Sequence, residues 1–449
     1  MAAEGLSSKM LVAAIVVILV IISFGASYYL ISNYSYSVGE QPNTKVYVAC
    51  AYYNDKSELA KISQDVVKGL KLWANITNDR GGLPVATGRA QVVLLCQPVQ
   101  RDKASLFSYI GGLLTNKSLT ERLVGVVLPP GNKESMFMLS KASALGSDVP
   151  LLLTYMDRDF TDVKVQANLT NSTIQIVTPM ARLAFEVGDM FDYYGIRVKT
   201  LDIMYELSGR GHASMLASRL SDVLKQYNIT IGISVPYTTD NSTDAVQKIL
   251  KSNTNPDVVA VVADTQEAAI KAVESIKAVG IPSMKYAIVF VQDPDVSTFR
   301  ERLGTALDNV MIVTYWYHTV DYGPFLAANL GYEWFGNITV EDFVRLYYNT
   351  YGDMPSEAAA VGFQAGLLIE RGVKQSRGAL AGIVLSKAII NSRIMTIYGP
   401  VGFEGSSYHP AGVHGAQYDH PPVILYFNEE GGKLNEYIVW PEYIATGTP

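Results

Sequence analysis

Three histidines, His409, His414 and His420, fall in one short stretch, "YHPAGVHGAQYDHPP", with Asp419 beside the last. Imidazoles and carboxylates hold zinc and pass protons, so this cluster is the first place to look for chemistry. Its spacing matches no zinc pattern, and the Gly/Pro-rich setting reads as a loop carrying solvated histidines. No metal and no cofactor are expected. The chain has no Gly-x-Ser-x-Gly elbow, no P-loop, no Gly-x-Gly-x-x-Gly after a strand and no Cys-x-x-Cys. Nothing in it argues for an enzyme. The two cysteines, Cys50 and Cys96, each end an apolar run, "VYVAC" and "VVLLC". If those runs are neighbouring parallel strands, the sulfurs sit side by side and can form a disulfide in an oxidising compartment. Otherwise they are two buried thiols.

Binding is better supported than catalysis. The chain of 449 residues carries 28 Tyr, whose flat body and polar tip suit a ligand grip as well as an ordinary surface. Charged residues are 17%, and 36 Lys and Arg against 42 Asp and Glu give a net charge of −6. A nucleic-acid partner would need a basic face, and none is expected.

The elements that would position such residues start after residue 44. Before it, residues 1–10 form a short cytoplasmic or signal segment. Residues 11–31 read as one transmembrane helix, because the run from Leu11 to Leu30 is uncharged and long enough to span a bilayer. Residues 32–44 are a polar spacer. Lys9 on the short side predicts that the body is exported. Eight Asn-x-Ser/Thr sequons, at Asn33, Asn75, Asn116, Asn168, Asn171, Asn228, Asn241 and Asn337, agree with export and are glycosylation candidates. "EGLSSKM" resembles the prepilin-type signals of some archaeal surface-binding proteins, in which cleavage would follow Gly5 and leave the helix in place. Those signals usually carry Lys or Arg before the Gly, and here it is Glu4.

From Lys45 short apolar runs alternate with helical patterns, as in "KVYVACA" followed by "SQDVVKGLKLWANITND". Strand and helix in alternation predict parallel α/β sheets, and the pattern restarts at "IQIVTP". The expected fold is α/β, with two doubly wound parallel-sheet lobes. Lobe 1 takes residues 45–175 and 315–395, and lobe 2 takes 176–314 and 396–445. The late helical segments are expected to pack on the first half, and the runs "GPVGFE" and "PVILYFN" to return to the second. Such crossings make a cleft with hinges.

Several segments then resemble one family. The stretch from Gln64 to Gly82 is similar to its first helix, ending in Asn78, Gly81 and Gly82. Thr178-Pro179 is similar to its step into the second lobe, and Tyr205 through Gly211, "YELSGRG", to its Asp-x-x-Tyr-Gly-Arg-Gly loop. "PDVVAVVADTQEAAIKAVESIKAVGI", Tyr351-Gly352 with "MPSEAAAVGFQA", and Gly399-Pro400-Val401-Gly402-Phe403 follow in the family's order. From about Lys45 to Tyr443 the chain resembles the type 1 periplasmic binding proteins, in their branched-chain amino-acid-binding branch. The resemblance implies an extracytoplasmic, membrane-anchored solute-binding protein at the cell surface. It would deliver an amino-acid-like ligand to ABC permease subunits. A sensor ectodomain or a cell-surface structural component on the same fold is the alternative.

Ligands in α/β sheets sit beyond the carboxyl ends of strands. That rule nominates Tyr53, Gly131, Asn132, Tyr155, Asp157, Arg158, Tyr205, Asp264 and Asp293 as ligand contacts. Thr178, Pro179, Tyr315 and Trp316 are the expected hinge. The resemblance puts Gly131 and Asn132 where the family binds a carboxylate, and Asp293 near its ammonium-binding acid. The family's fourth-strand loop is small and hydroxylated, whereas "TYMDRDF" is bulky and charged, and "PPGNKES" replaces a Ser-rich loop. A ligand other than a plain branched-chain amino acid is therefore expected.

Overall fold

In a computed structural model of the chain, residues 44–155, 172–208, 210–403 and 416–449 are described. The apolar run at Leu11–Leu30, the spacer, Asp157, Arg158, His409, His414, Asn33, Asn168 and Asn171 lie outside the described residues. Among the described residues no helix is long and apolar enough to cross a membrane.

The first sheet holds β1 (Thr44–Tyr53), β2 (Leu83–Val85), β3 (Gly88–Val99), β4 (Leu123–Leu128), β5 (Leu151–Leu153) and β6 (Thr173–Gln175), in the order β2-β3-β1-β4-β5-β6. All its pairings are parallel except β2 with β3. β1 and β4 are almost wholly buried apolar runs, as strands covered on both faces must be. Cys50 and Cys96 stand opposite each other in the β1–β3 register and are joined as a disulfide. Two helices matter for the cleft. α1 (Glu58–Asp79) starts at Ser57, whose hydroxyl caps the Ala60 N–H, and α2 is Asn132–Ala144.

The second lobe begins with α3 (Met180–Tyr193) and β7 (Thr200–Glu206), then α4 (His212–Leu224), β8 (Thr230–Tyr237), β9 (Val258–Val262), α5 (Gln266–Val279), β10 (Tyr286–Phe290), α6 (Val296–Leu303) and β11 (Val310–Thr314). β9 reads Val-Val-Ala-Val-Val and is buried throughout. Each buried Val there contributes roughly 1.5–3 kcal/mol of hydrophobic stabilisation. β8 lies at the sheet edge, which is why it tolerates Pro236 and exposed polar positions.

The rest of the chain is divided. α7 (Val340–Tyr351) and α8 (Glu357–Gln375) follow the short strand β12 (Glu333–Trp334). α8 lies on α1 of the first lobe, backbone against backbone. A Cβ on Gly69 would collide with the Ala359 carbonyl, one on Gly362 with Val66, and one on Gly366 with the Trp73 ring. The run "GPVGFE" departs from expectation. Its strand β14 (Gly399–Gly402) pairs with β13 (Arg393–Thr396) and, through it, with β12 in a separate three-stranded sheet. "PVILYFN" does reach the second sheet, but as an antiparallel addition. β15 (Val423–Glu430) pairs with β11, and β16 (Lys433–Trp440) with β15. A hairpin needs only a short turn, here at Gly431-Gly432, whereas a parallel strand would need a crossover. The lobes are thus mixed sheets with parallel centres.

Candidate functional site

Each cleft wall is made by loops at the carboxyl ends of parallel strands. On the lobe 1 side, Tyr53 is fully buried. Its backbone N–H donates to Ser63 Oγ at 3.0 Å and its carbonyl accepts from Gln64 Nε2 at 3.1 Å. Gly131 has φ of 124°, a region open to glycine, and a Cβ there would sit 3.5 Å from the Tyr53 hydroxyl. The two residues are therefore neighbours. Asn132 opens α2 just beyond them.

The lobe 2 wall is a closed hydrogen-bond network. Glu206, at the end of β7, is buried and accepts from the Asp264 N–H at 2.7 Å, the Thr265 N–H at 2.9 Å and the Thr265 hydroxyl at 3.1 Å. Burial pushes its carboxyl upward in pKa, against those donors. Asp264 Oδ1 accepts from the Ala213 N–H at 2.8 Å, and Ser208 bonds to Oδ2. Arg210 spans to the Asp264 carbonyl at 2.5 Å and to Gln292 Oε1 at 2.9 Å. Asp264 thus braces loops within its own lobe. Tyr205 is half-buried and packs on the core.

A buried polar cluster joins both lobes, and its centre is Glu357, a residue that strand-end reasoning does not nominate. It is the first residue of α8, capped by Ser356, and is buried. Tyr155 donates to Oε1 at 2.7 Å, while the Thr314 hydroxyl at 2.6 Å and the Tyr315 N–H at 2.7 Å donate to Oε2. The Asp293 backbone N–H is a fourth donor. In return Asp293 Oδ1 accepts from the Ala358 N–H at 2.9 Å. Asp293 is half-buried, has φ of 49° and follows β10 of lobe 2. Burial first, then the Glu357 charge, raise the Asp293 pKa to about 8. Burial also raises that of Glu357, opposed by its hydrogen bonds. The Tyr155 hydroxyl is held protonated for the same reason.

The hinge segments converge on His420. Its Nε2–H donates to the Tyr315 carbonyl at 2.6 Å, and its own carbonyl accepts from Thr178 Oγ1 at 2.6 Å. The Tyr398 ring lies over it with centroids 4.3 Å apart. Gly399 is required beneath it, since a Cβ would stand 2.7 Å from Nδ1. His420 is fully buried, so the expectation of a solvated loop histidine is wrong for this residue. Burial depresses its pKa to about 4 and keeps the ring neutral. Pro179 precedes α3 at the first crossing. Trp316 is buried and donates to the Ile397 carbonyl at 2.8 Å.

A cavity of about 770 Å³ opens between the lobes. α1 contributes Lys61, Asp65 and Lys68, lobe 2 contributes Asp293 to Ser297 and Arg300, and the hinge contributes Trp316 to His318. A second space of about 250 Å³ lies at Glu58, Gln266 and Gln292. Two contacts bridge the rim: the Gln266 N–H donates to Glu58 Oε1 at 3.0 Å, and Lys61 lies 3.8 Å from Asp295. Of the described residues predicted to touch ligand, Asp293 lines both spaces. Tyr53, Gly131, Tyr155, Tyr205 and Asp264 line neither. The sequon asparagines Asn75, Asn116, Asn228, Asn241 and Asn337 are all exposed.

Comparisons with known proteins fit this geometry. Residues 205–415 match the family described as Periplasmic binding protein. No curated protein matches the chain by sequence. Among solved structures, the chain is similar to the branched-chain amino acid transporter substrate binding protein LivJ from Streptococcus pneumoniae, in complex with isoleucine. The identity is 15% and the TM-score 0.62, over 89% of this chain and 100% of that one. An ABC transporter substrate-binding protein from Sphaerobacter thermophilus is similar at 13% identity and TM-score 0.66, over 88% and 96%. An R. palustris solute binding protein in complex with benzoate is similar at 15% and 0.61, over 87% and 95%. At such identities the structural likeness is one of fold. Over residues 205–415 the chain is similar in sequence to the periplasmic binding proteins, and over most of its described length it shares their fold.

Proposed function

We propose that the protein is the solute-binding component of an ABC importer. It works outside the membrane and holds an amino acid or a related small amide or carboxylate between its lobes. The observation that carries this reading is the interlobe cavity of about 770 Å³, walled by both lobes and by the hinge. That volume lies in the range of small-molecule sites and exceeds what a free amino acid fills. Related folds hold isoleucine in one case and benzoate in another, so aliphatic and aromatic carboxylates are both reasonable ligands. In this reading the apolar run from Leu11 to Leu30 anchors the chain at the cell surface, and the exposed sequons face the outside.

The test is a thermal-shift screen of the purified full-length chain against amino acids, benzoate-type acids, small amides, polyamines and short peptides. A ligand at a hundredfold excess over its Kd stabilises the protein by about 2.7 kcal/mol. A melting temperature unmoved by every solute would sink the importer reading and favour a surface structural component.

A further inference from the structure

The contact between Glu357 and Asp293 is reciprocal. Glu357, held on lobe 1 through α8, accepts the backbone N–H of Asp293 on lobe 2. Asp293 accepts the N–H of Ala358, at the start of the same α8. Glu357 also holds Tyr155 at the end of β5 and Thr314 and Tyr315 where the chain leaves β11. One carboxyl group thus grips lobe 1, lobe 2 and the hinge. A second, from the opposite lobe, stands beside it at the cavity wall.

Two neighbouring carboxylates with water partly excluded disfavour each other's ionisation unless a countercharge pairs with them. The groups facing Asp293 are Glu357 on α8, Asp65 and Lys61 on α1, Tyr347 on α7 and Tyr155 just after β5. Asp295 lies two residues further along its own loop. Of the Lys and Arg residues lining the cavity, Lys61 is mostly exposed and turned to Asp295 on the rim, Lys68 pairs with Asp65 at 2.6 Å, and Arg300 pairs with Glu436 at 3.2 Å. No buried cation among the described residues balances the pair. We infer that Glu357 and Asp293 are positioning residues that latch the two lobes, and that closing the cleft takes up one proton at this pair.

The sign follows from the surroundings. When the lobes part, Asp293 meets water and returns toward an ordinary carboxylate. When they close, burial and Glu357 hold it protonated up to about pH 8. Between about pH 5 and that value closure consumes a proton, so the closed form loses ground as pH rises, approaching about tenfold per pH unit. The proton belongs to the pair and not to one oxygen.

The inference rests on the two-lobed cleft and needs no ligand, so it can fail while the importer reading stands. Spin labels are placed on the full-length chain at two exposed positions, Lys71→Cys on α1 and Glu301→Cys on α6. The interlobe distance distribution is recorded without solute from pH 5 to 9. The closed population should fall several-fold per pH unit in the otherwise wild-type chain. In Asp293→Asn it should stay closed with a flat profile, because the amide oxygen still accepts from Ala358 and cannot ionise. In Glu357→Gln the fall should move to lower pH. A flat wild-type profile, or the wild-type slope retained in Asp293→Asn, overturns the latch. The wild-type profile decides even if a variant fails to fold. A flat profile alongside a solute-induced thermal shift would reject the latch and keep the binding function.

Discussion

Glu206 and Glu357 are both buried glutamates at the edge of the cleft, and both are surrounded by donors. Glu206 takes all its hydrogen bonds from Asp264 and Thr265, within lobe 2. Glu357 takes its bonds from the end of β5, the hinge and the lobe 2 loop at Asp293. Equal burial therefore serves two ends. One carboxylate braces a single wall of the cleft, while the other sits where the lobes meet. A rigid scaffold with a few residues absorbing the motion is the general form of hinge closure.

Replacement by alanine separates the two most sharply. Glu357→Ala leaves several buried donors without an acceptor, and should lower the unfolding free energy by about 3 kcal/mol or more. Glu206→Ala should lower it by about 2 kcal/mol. Urea unfolding measures both. Amide exchange then tells them apart. Glu206→Ala should speed exchange at Asp264 and Thr265 and leave Asp293 protected, and Glu357→Ala should do the reverse. Equal loosening of both loops in either variant would erase the distinction.

His420 extends the contrast to pH. Its pKa is about 4 in the folded chain against an ordinary 6.5. The unfolded chain thus binds the extra proton between those values. Stability is fully present above about 6.5 and falls as pH drops toward 4, by about 1 kcal/mol per pH unit. His420→Gln should remove that share of the acid sensitivity in chemical denaturation at several pH values. An unchanged acid limb would assign it to carboxylates instead. The smallest effect is expected at the rim. Lys61 and Asp295 are 3.8 Å apart and largely solvated, so Lys61→Ala should change stability by under about 0.5 kcal/mol. A larger loss in the same unfolding assay would mean that the rim, and not Glu357, joins the lobes.

Much of the fold was legible in the residues. Strand-helix alternation located the parallel centres of both sheets, and apolar runs such as "PDVVAVV" marked strands buried on two faces. The site was less so. Strand-end loops led to Asp293 and to Tyr155, but also to Asp264, which braces its own lobe. Glu357 lay hidden in "SEAAAVGFQA", where it reads as an ordinary acidic residue in a first helical turn. A buried role could have been suspected from the apolar surroundings of that helix, though its partners could not.

The sequence by itself determined the α/β class, the two-lobed plan and the family resemblance, and it left the pairing of Cys50 with Cys96 to the structure. These follow from short-range periodicity and ordered local motifs. Only the tertiary structure decided which carboxylates face each other, that His420 is sealed inside the hinge, and that the last strands add antiparallel. Tyr155 and Glu357 are 202 residues apart, and Tyr315 and His420 are 105 apart. Contacts over such distances depend on how whole lobes pack, and no local pattern of side chains encodes that.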